Sequence, residues 1–395
     1  MRQGWEETRL EEVLTKTETI DPAEKPGREF TYIDVSSVNK ENLEIENTTR
    51  LLGKDAPSRA RKLVRTNDVI FATVRPTLRR IAIIPEKYNG QICSTGYYVL
   101  RAKGELHYKL IFYFLQTPGF NEQMEKLQKG ASYPAVTDAD VKNQLISFPK
   151  DITEQKRIVA VLDEAFDVIA KAKENAEKNL ANARELFESY LQNIFANPGE
   201  NWDEKKLGDI GKVSMCKRVF KEQTTTTGDI PFYKIGTFGK EPNAYISREI
   251  YDEFRGKFSF PKKGDILISA SGTIGRRVKY DGEPAYFQDS NIVWIENDEK
   301  QVLNDYLYNF YGACNWDSTK GATISRLYND NLKQITISFP KSLIEQRSIV
   351  AKLDALSTET KRLETIYHKK IVDLEELKKS ALQKAFNGEL VGMCS

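Results

Sequence analysis

The chain repeats itself at long range. The segment Lys129-Gly-Ala…Ile146-Ser-Phe-Pro149-Lys…Glu154-Gln155…Ile158-Val-Ala…Leu162-Asp163 returns as Lys320-Gly-Ala…Ile337-Ser-Phe-Pro340-Lys…Glu345-Gln346…Ile349-Val-Ala…Leu353-Asp354, at one constant offset and without a gap. A fainter echo opens each half, Trp5…Leu10 against Trp202…Leu207. Between these anchors the halves differ almost completely. A period near half the chain is far too long for a solenoid unit, so the repeat predicts two related modules in tandem. Two scaffolds with different surfaces suggest two ligands, or two stretches of one.

Each half reads as a mixed region followed by a long helix. A strand-like run ends at Pro149 or Pro340, since proline cannot donate to a ladder. Asp151-x-x-Glu154 and Ser342-x-x-Glu345 then have the spacing of a capping box. In the first helix Ile158, Leu162, Ala165, Ile169, Ala172, Ala176, Asn179, Ala183, Leu186 and Tyr190 step by three and four. In the second, Ile349, Leu353, Leu356, Thr360, Leu363, Tyr367, Lys370, Leu374, Leu377 and Ala381 do the same. Such a stripe is a coiled-coil seam, and small residues on one helix against large ones on the other favour pairing within the chain. Stop signals stand at Asn197-Pro198-Gly199 and Asn387-Gly388. Helices of about forty residues are roughly 60 Å long. Antiparallel pairing would place the mixed domains at opposite ends of a rod and parallel pairing at one end; periodicity leaves both open.

The reading is therefore an α+β chain: a first mixed domain at 1–150, a helix at 151–197, a second mixed domain at 198–341, a helix at 342–388 and a tail at 389–395. Asp68–Val74, Tyr97–Leu100, Asp265–Ser269 and Asn291–Ile295 are expected strands, and Tyr108–Leu115 and Asp305–Tyr311 expected helices. Strand order does not follow from the sequence.

Net charge is only +2, so any basic surface must be local. Lys54, Arg59, Arg61, Lys62 and Arg65 precede the Asp68 strand, and Arg75, Arg79 and Arg80 follow it. Around the matching Asp265 strand stand Arg255, Lys257, Lys262, Lys263, Arg276, Arg277 and Lys279. Recurrence at one structural position in dissimilar segments favours a polyanion such as duplex DNA over a merely solvated face, because Lys and Arg displace counterions from phosphates and Arg reads guanine. Thr73, Thr77, Ser269, Ser271 and Thr273 are candidate polar contacts, as are Ser132 and Tyr133 in one Gly-Ala loop and Ser325 and Arg326 in the other. A protein-binding scaffold, with the basic residues as plain surface, is the competing reading.

Enzymatic signatures are missing from the sequence: no GxxxxGK[ST], HExxH, GxSxG or methyltransferase motif is present. Cys93, Cys216, Cys314 and Cys394 form no CxxC pair, and His107, expected in an exposed lead-in to a helix, and His368 are the only histidines. This argues against a zinc site, a disulfide framework or histidine acid–base work. No catalytic or metal-ligating residue and no bound cofactor is expected. The N-terminus lacks an apolar signal core and no stretch is apolar enough for a membrane span, so a cytoplasmic protein is expected.

Trp-x-x-x-x-Leu opening each half, the doubled Phe-Pro-x-x-x-x-Glu-Gln-x-x-Ile-Val-Ala-x-Leu-Asp, and the ending Ala381-Leu-Gln-Lys-Ala-Phe-Asn-Gly-Glu-Leu390 together resemble the DNA specificity subunits of type I restriction-modification systems. The resemblance spans the whole chain. It implies two target recognition domains, each reading half of a bipartite, interrupted DNA site, and an antiparallel coiled coil. It further implies two methyltransferase subunits on the helices and restriction subunits through them, in a bacterial or archaeal cytoplasm. S-adenosylmethionine, ATP and Mg would belong to those partners. A methylation-only system is the close alternative. Base-contacting residues do not transfer with the resemblance.

Overall fold

The computed structural model describes residues 3–316 and 327–392. The chain divides into two compact units, residues 1–177 with 369–395 and residues 178–368. Each unit holds one mixed domain, the start of one long helix and the end of the other. The helices are Ile152–Ala196 and Leu343–Phe386.

The repeated words meet in space within each unit. Trp5–Arg9 pairs antiparallel with Leu145–Pro149, setting Trp5 opposite Pro149. Trp202–Lys206 pairs with Thr336–Pro340, setting Trp202 opposite Pro340. Leu10 and Leu207, both fully buried, donate their amides to Gln144 and Ile335 at 2.9 and 2.8 Å. The glutamine of the Glu-Gln pair is also fully buried in both units. Gln155 Nε2 donates to the carbonyls of Glu105 (2.9 Å) and Pro149 (2.8 Å), and its Oε1 accepts from His107 N at 2.7 Å. Gln346 does the same with Gln301 (2.8 Å), Pro340 (2.8 Å) and Leu303 N (2.9 Å). A buried amide with its groups satisfied fixes a domain to its helix, whereas an unmet one would be costly.

At the second helix start half of the expected capping box forms, Ser342 Oγ accepting from Glu345 N at 3.5 Å. Asp151 Oδ1 accepts from Thr153 N at 2.9 Å and Glu154 pairs with Arg157 at 2.8 Å, while Glu345 accepts the Trp202 indole N–H at 3.2 Å. His107 differs from expectation. It is half-buried and caps the Tyr108–Phe114 helix through Nδ1, and burial lowers its pKa.

Each mixed domain has a four-stranded antiparallel sheet. The order is Leu14–Thr15, Tyr97–Ala102, Val69–Ala72, Ile81–Ile83 in the first, and Lys212–Ser214, Ile292–Glu296, Ile266–Ser269, Arg277–Lys279 in the second. The expected strands fall here, buried on both faces where Val69–Ala72 and Ile266–Ser269 run. A further sheet in each domain has a parallel pair, Glu29–Ile33 with Ile92–Ser94 and Ile230–Tyr233 with Tyr286–Phe287. The first domain adds Ala60–Leu63 as an edge strand. The second carries the helix Arg248–Lys257 at that point of the chain instead.

Within the first unit the helical segments run antiparallel: Lys173 pairs with Glu375 at 2.6 Å and Lys378 lies over the Phe166 ring at 4.9 Å. Ile158, Leu162, Leu382 and Ala385 join the domain core there, as does Leu390 of the expected tail. In the second unit Arg184 pairs with Glu364, and Phe195 of one helix and Ile349 of the other pack against the domain core that holds Val350. Leu162, Ile169, Ala176 and Leu353 are buried, and Leu363, Tyr367 and Leu374 half-buried.

Leu186, Tyr190 and Leu377 do not lie on the seam; Leu186 is 64% and Leu377 54% exposed. The inward positions are Leu180, Phe187 and Leu191 on the first helix and Ile371 and Lys378 on the second. Past Ala176 the stripe takes its four-residue step first, and a count of apolar letters prefers Leu377 to Lys378. A lysine stem nonetheless covers a ring while its ammonium reaches the edge; burial lowers the Lys378 pKa.

Candidate nucleic-acid interface

In the first unit the Val69–Ala72 strand runs into a tight loop stitched to its surroundings by backbone. Thr73 donates N–H and Oγ1–H to Gly96 O at 2.9 and 3.1 Å, Val136 N donates to Thr73 O at 2.9 Å, and Arg75 N donates to Pro134 O at 2.7 Å. A single 3-10 turn, Pro76–Leu78, sits between Arg75 and Arg79, both left-handed at φ 51°. For a residue with a Cβ this conformation costs on the order of 1 kcal/mol or more, and such strain concentrates at functional sites.

The stitching brings Arg75 beside Ser132 and Tyr133, while Thr77 and Arg79 line a cleft with Gln116, Asn121 and Glu122; all five candidates are exposed. The Arg75 guanidinium lies 4.8 Å from the centroid of the Tyr133 ring, itself 70% exposed, and donates to Ser132 O at 3.4 Å. Among the described residues neither Arg75 nor Arg79 has a carboxylate within ion-pair distance. Arg59 is exposed near the same end, its carbonyl accepting from Thr95 N, one residue before Gly96.

Other cations of the first cluster are internally spent. Lys62 binds Asp138 (2.9 Å) and Tyr97 O (2.6 Å), Arg61 pairs with Asp21 at 3.4 Å and Arg65 pairs with Glu18. Arg80 donates to Val35 O at 2.7 Å. These four hold the domain together, and the acids that bind three of them lie too far along the chain to show in a local charge count.

The second unit builds the same loop one residue shorter. Ala270 N donates to Asn291 O and Leu327 N to Ala270 O at 2.7 and 2.8 Å, matching Thr73. The left-handed positions are Gly272 (φ 65°) and Gly275 (φ 83°). A Cβ on Gly275 would also stand 2.2 Å from the Trp316 indole nitrogen. Arg276 is the counterpart of Arg80, donating to Phe238 O at 3.0 Å. Ser269 Oγ is consumed by Thr273 O and Arg276 N, and Ser271 Oγ donates to Asn291 Oδ1 at 2.8 Å. Thr273 and Gly272 remain exposed at the tip. Arg277 lies over Tyr308 at 4.6 Å, and Lys257 pairs with Glu253 at 3.0 Å. Lys262 and Lys263 are exposed at the start of the strand, away from the loop at its end. Ser325 and Arg326 lie outside the described residues.

Beside the second loop is a 430 Å³ cleft lined by Arg218, Phe220, Lys221, Lys234 and Asn291. Phe220 is exposed, and Arg218 pairs with Asp289 at 2.8 Å. Its signal in the sequence is the basic and aromatic interleaving of Lys217-Arg218-Val-Phe220-Lys221, far from the Asp265 strand in the chain.

Burial raises the Cys93 and Cys216 thiols to about 12, and among the described residues no group of His, Cys, Asp and Glu could hold a metal. No described helix is long and apolar enough to cross a membrane.

The family model for the type I restriction modification DNA specificity domain matches residues 2–179 and again 199–371. The chain belongs to this family. A Haemophilus influenzae protein assigned as a type I restriction enzyme specificity subunit is 45% identical over 67% of this chain and 68% of its own length. The specificity subunit of a Methanocaldococcus jannaschii type I restriction enzyme is 23% identical over 81% and 77%. Among solved structures, a chain from work on assembly and conformational transition of a type I restriction-modification system matches with TM-score 0.86 and 29% identity, over 98% of this chain and 99% of that one. The HsdS subunit of Thermoanaerobacter tengcongensis matches with TM-score 0.65 and 28% identity, over 98% and 97%. This type I specificity subunit thus has two recognition domains, one per repeat, and its family is non-catalytic.

Proposed function

We propose that each recognition domain reads one half of a bipartite, interrupted DNA target, and that the long helices set the unread spacer. The helices also dock two methyltransferase subunits, through which restriction subunits are engaged. S-adenosylmethionine, ATP and Mg serve those partners. The observation that carries this reading is one strand-and-loop frame used twice with different residues at its tip: Arg75, Thr77, Arg79 and Tyr133 in one, Gly272 and Thr273 in the other. A frame held by backbone bonds can change its tip without changing its fold, as readers of unlike half-sites require.

Single-molecule methylome sequencing of cells carrying the complete system, with and without this chain, tests the reading. A bipartite adenine motif that disappears with the chain is expected. Methylation with no dependence on sequence in the intact system would refute it.

A further inference from the structure

We infer that Arg75 is a specificity-determining residue of the first recognition domain, presenting its guanidinium to the O6 and N7 of a guanine in the major groove. This rests on the proposed reading of DNA by that domain. Three features coincide at Arg75 and at no other described cation of the cluster. Its φ of 51° is left-handed, at the place where the second domain has Gly272 at 65°; the loop accepts glycine there, so the frame itself does not require arginine. The guanidinium lies on the exposed Tyr133 ring at 4.8 Å, which limits its rotation and leaves its donor edge open. Arg61, Lys62, Arg65 and Arg80 are bound within the domain, whereas among the described residues the one hydrogen bond of the Arg75 guanidinium goes to the Ser132 carbonyl, at 3.4 Å. A planar, pre-oriented fork with free donors matches a guanine edge better than a single phosphate oxygen. Arg79 is the weaker candidate, because Glu122, Glu125 and Glu376 line its cleft.

The decisive variant is Arg75→Gly. It removes the reader while supplying the residue that the second domain uses at this point. Relief of the left-handed strain and the greater freedom of glycine in the unfolded chain oppose each other, so Tm stays within about 2 °C of wild type. The assembled methyltransferase complex is then tested on duplexes carrying its own motif, with each guanine in turn replaced by 7-deazaguanine, which lacks the N7 acceptor. One guanine of one half-site is expected to show a loss of roughly fivefold or more with wild type and none with Arg75→Gly. The methylome of the variant should show that position relaxed and the other half-site intact. Equal deaza-guanine losses for both proteins at every position, or methylation reduced uniformly with an unchanged motif, would overturn the inference. A wild-type complex with no bipartite motif would instead overturn the reading beneath it.

Discussion

The strands that carry the two tip loops begin from buried aspartates in the same turn, with opposite charges facing them. Asp68 and Asp265 each accept the amide of the residue three before, Arg65 or Lys262, at 2.8 Å. Asp68 is also gripped by Arg101 through Nε and Nη2, both at 2.8 Å, and Arg101 reaches Glu18 at 2.7 Å. By strand register the position of Arg101 is taken in the second domain by Glu296. Asp265 forms no ion pair among the described residues; burial, with Glu296 and Glu299 adding, raises its pKa. The comparison teaches that the turn needs a carboxylate for its backbone, while the charge across the strand is free to reverse.

The largest test of this contrast is Arg101→Ala. It leaves Asp68 buried and unpaired, and should cost about 3–5 kcal/mol in urea unfolding of the full chain. Glu296→Ala, at the matching position, removes a like charge and should cost less than about 1 kcal/mol. Comparable losses would mean that both residues act through packing alone.

A smaller effect is expected from pH, with opposite signs in the two domains. The folded pKa of Asp265 lies above its unfolded value, so its contribution to stability falls as pH rises from about 4 through the raised pKa. The melting temperature of Asp265→Asn minus that of wild type should therefore increase between pH 4 and pH 7. Glu18 is the reverse: its hydrogen bond from Arg101 holds its pKa low, so its contribution is present above the ordinary glutamate range and lost as pH falls through the lowered pKa. For Glu18→Gln the same difference should decrease over that interval. Parallel slopes would end the contrast.

The smallest effect sharpens where the domains agree. Arg80→Ala and Arg276→Ala each remove one donor to a backbone carbonyl and should each cost about 1 kcal/mol without changing a base of the methylated motif. A base change would make either residue a reader rather than a brace.

Much of this was legible in the sequence, for identifiable reasons. The repeat exposed two modules because its anchors sit at one junction, which leaves the residues between them free to differ. Strands around Asp68 and Asp265 were visible as apolar runs because they are buried on both faces. The spent cations were not legible, since Lys62 finds Asp138 and Arg61 finds Asp21 only after folding. The seam after Ala176 was misread because Leu186 and Tyr190 are as apolar as the inward Leu180, Phe187 and Leu191, and on the second helix an apolar count passes over Lys378. Neither left-handed arginine could be inferred, because arginine carries no local preference for that conformation.

The buried glutamines have a consequence for how such a chain can change over generations. Gln155 and Gln346 take hold of their domains through two carbonyls and an amide each, all of them main-chain groups. An attachment that inspects only backbone is blind to the identity of what it holds. Any domain offering the same three groups would seat on the same helix start, so a whole reading head can be inherited from elsewhere without the joint having to mutate in step.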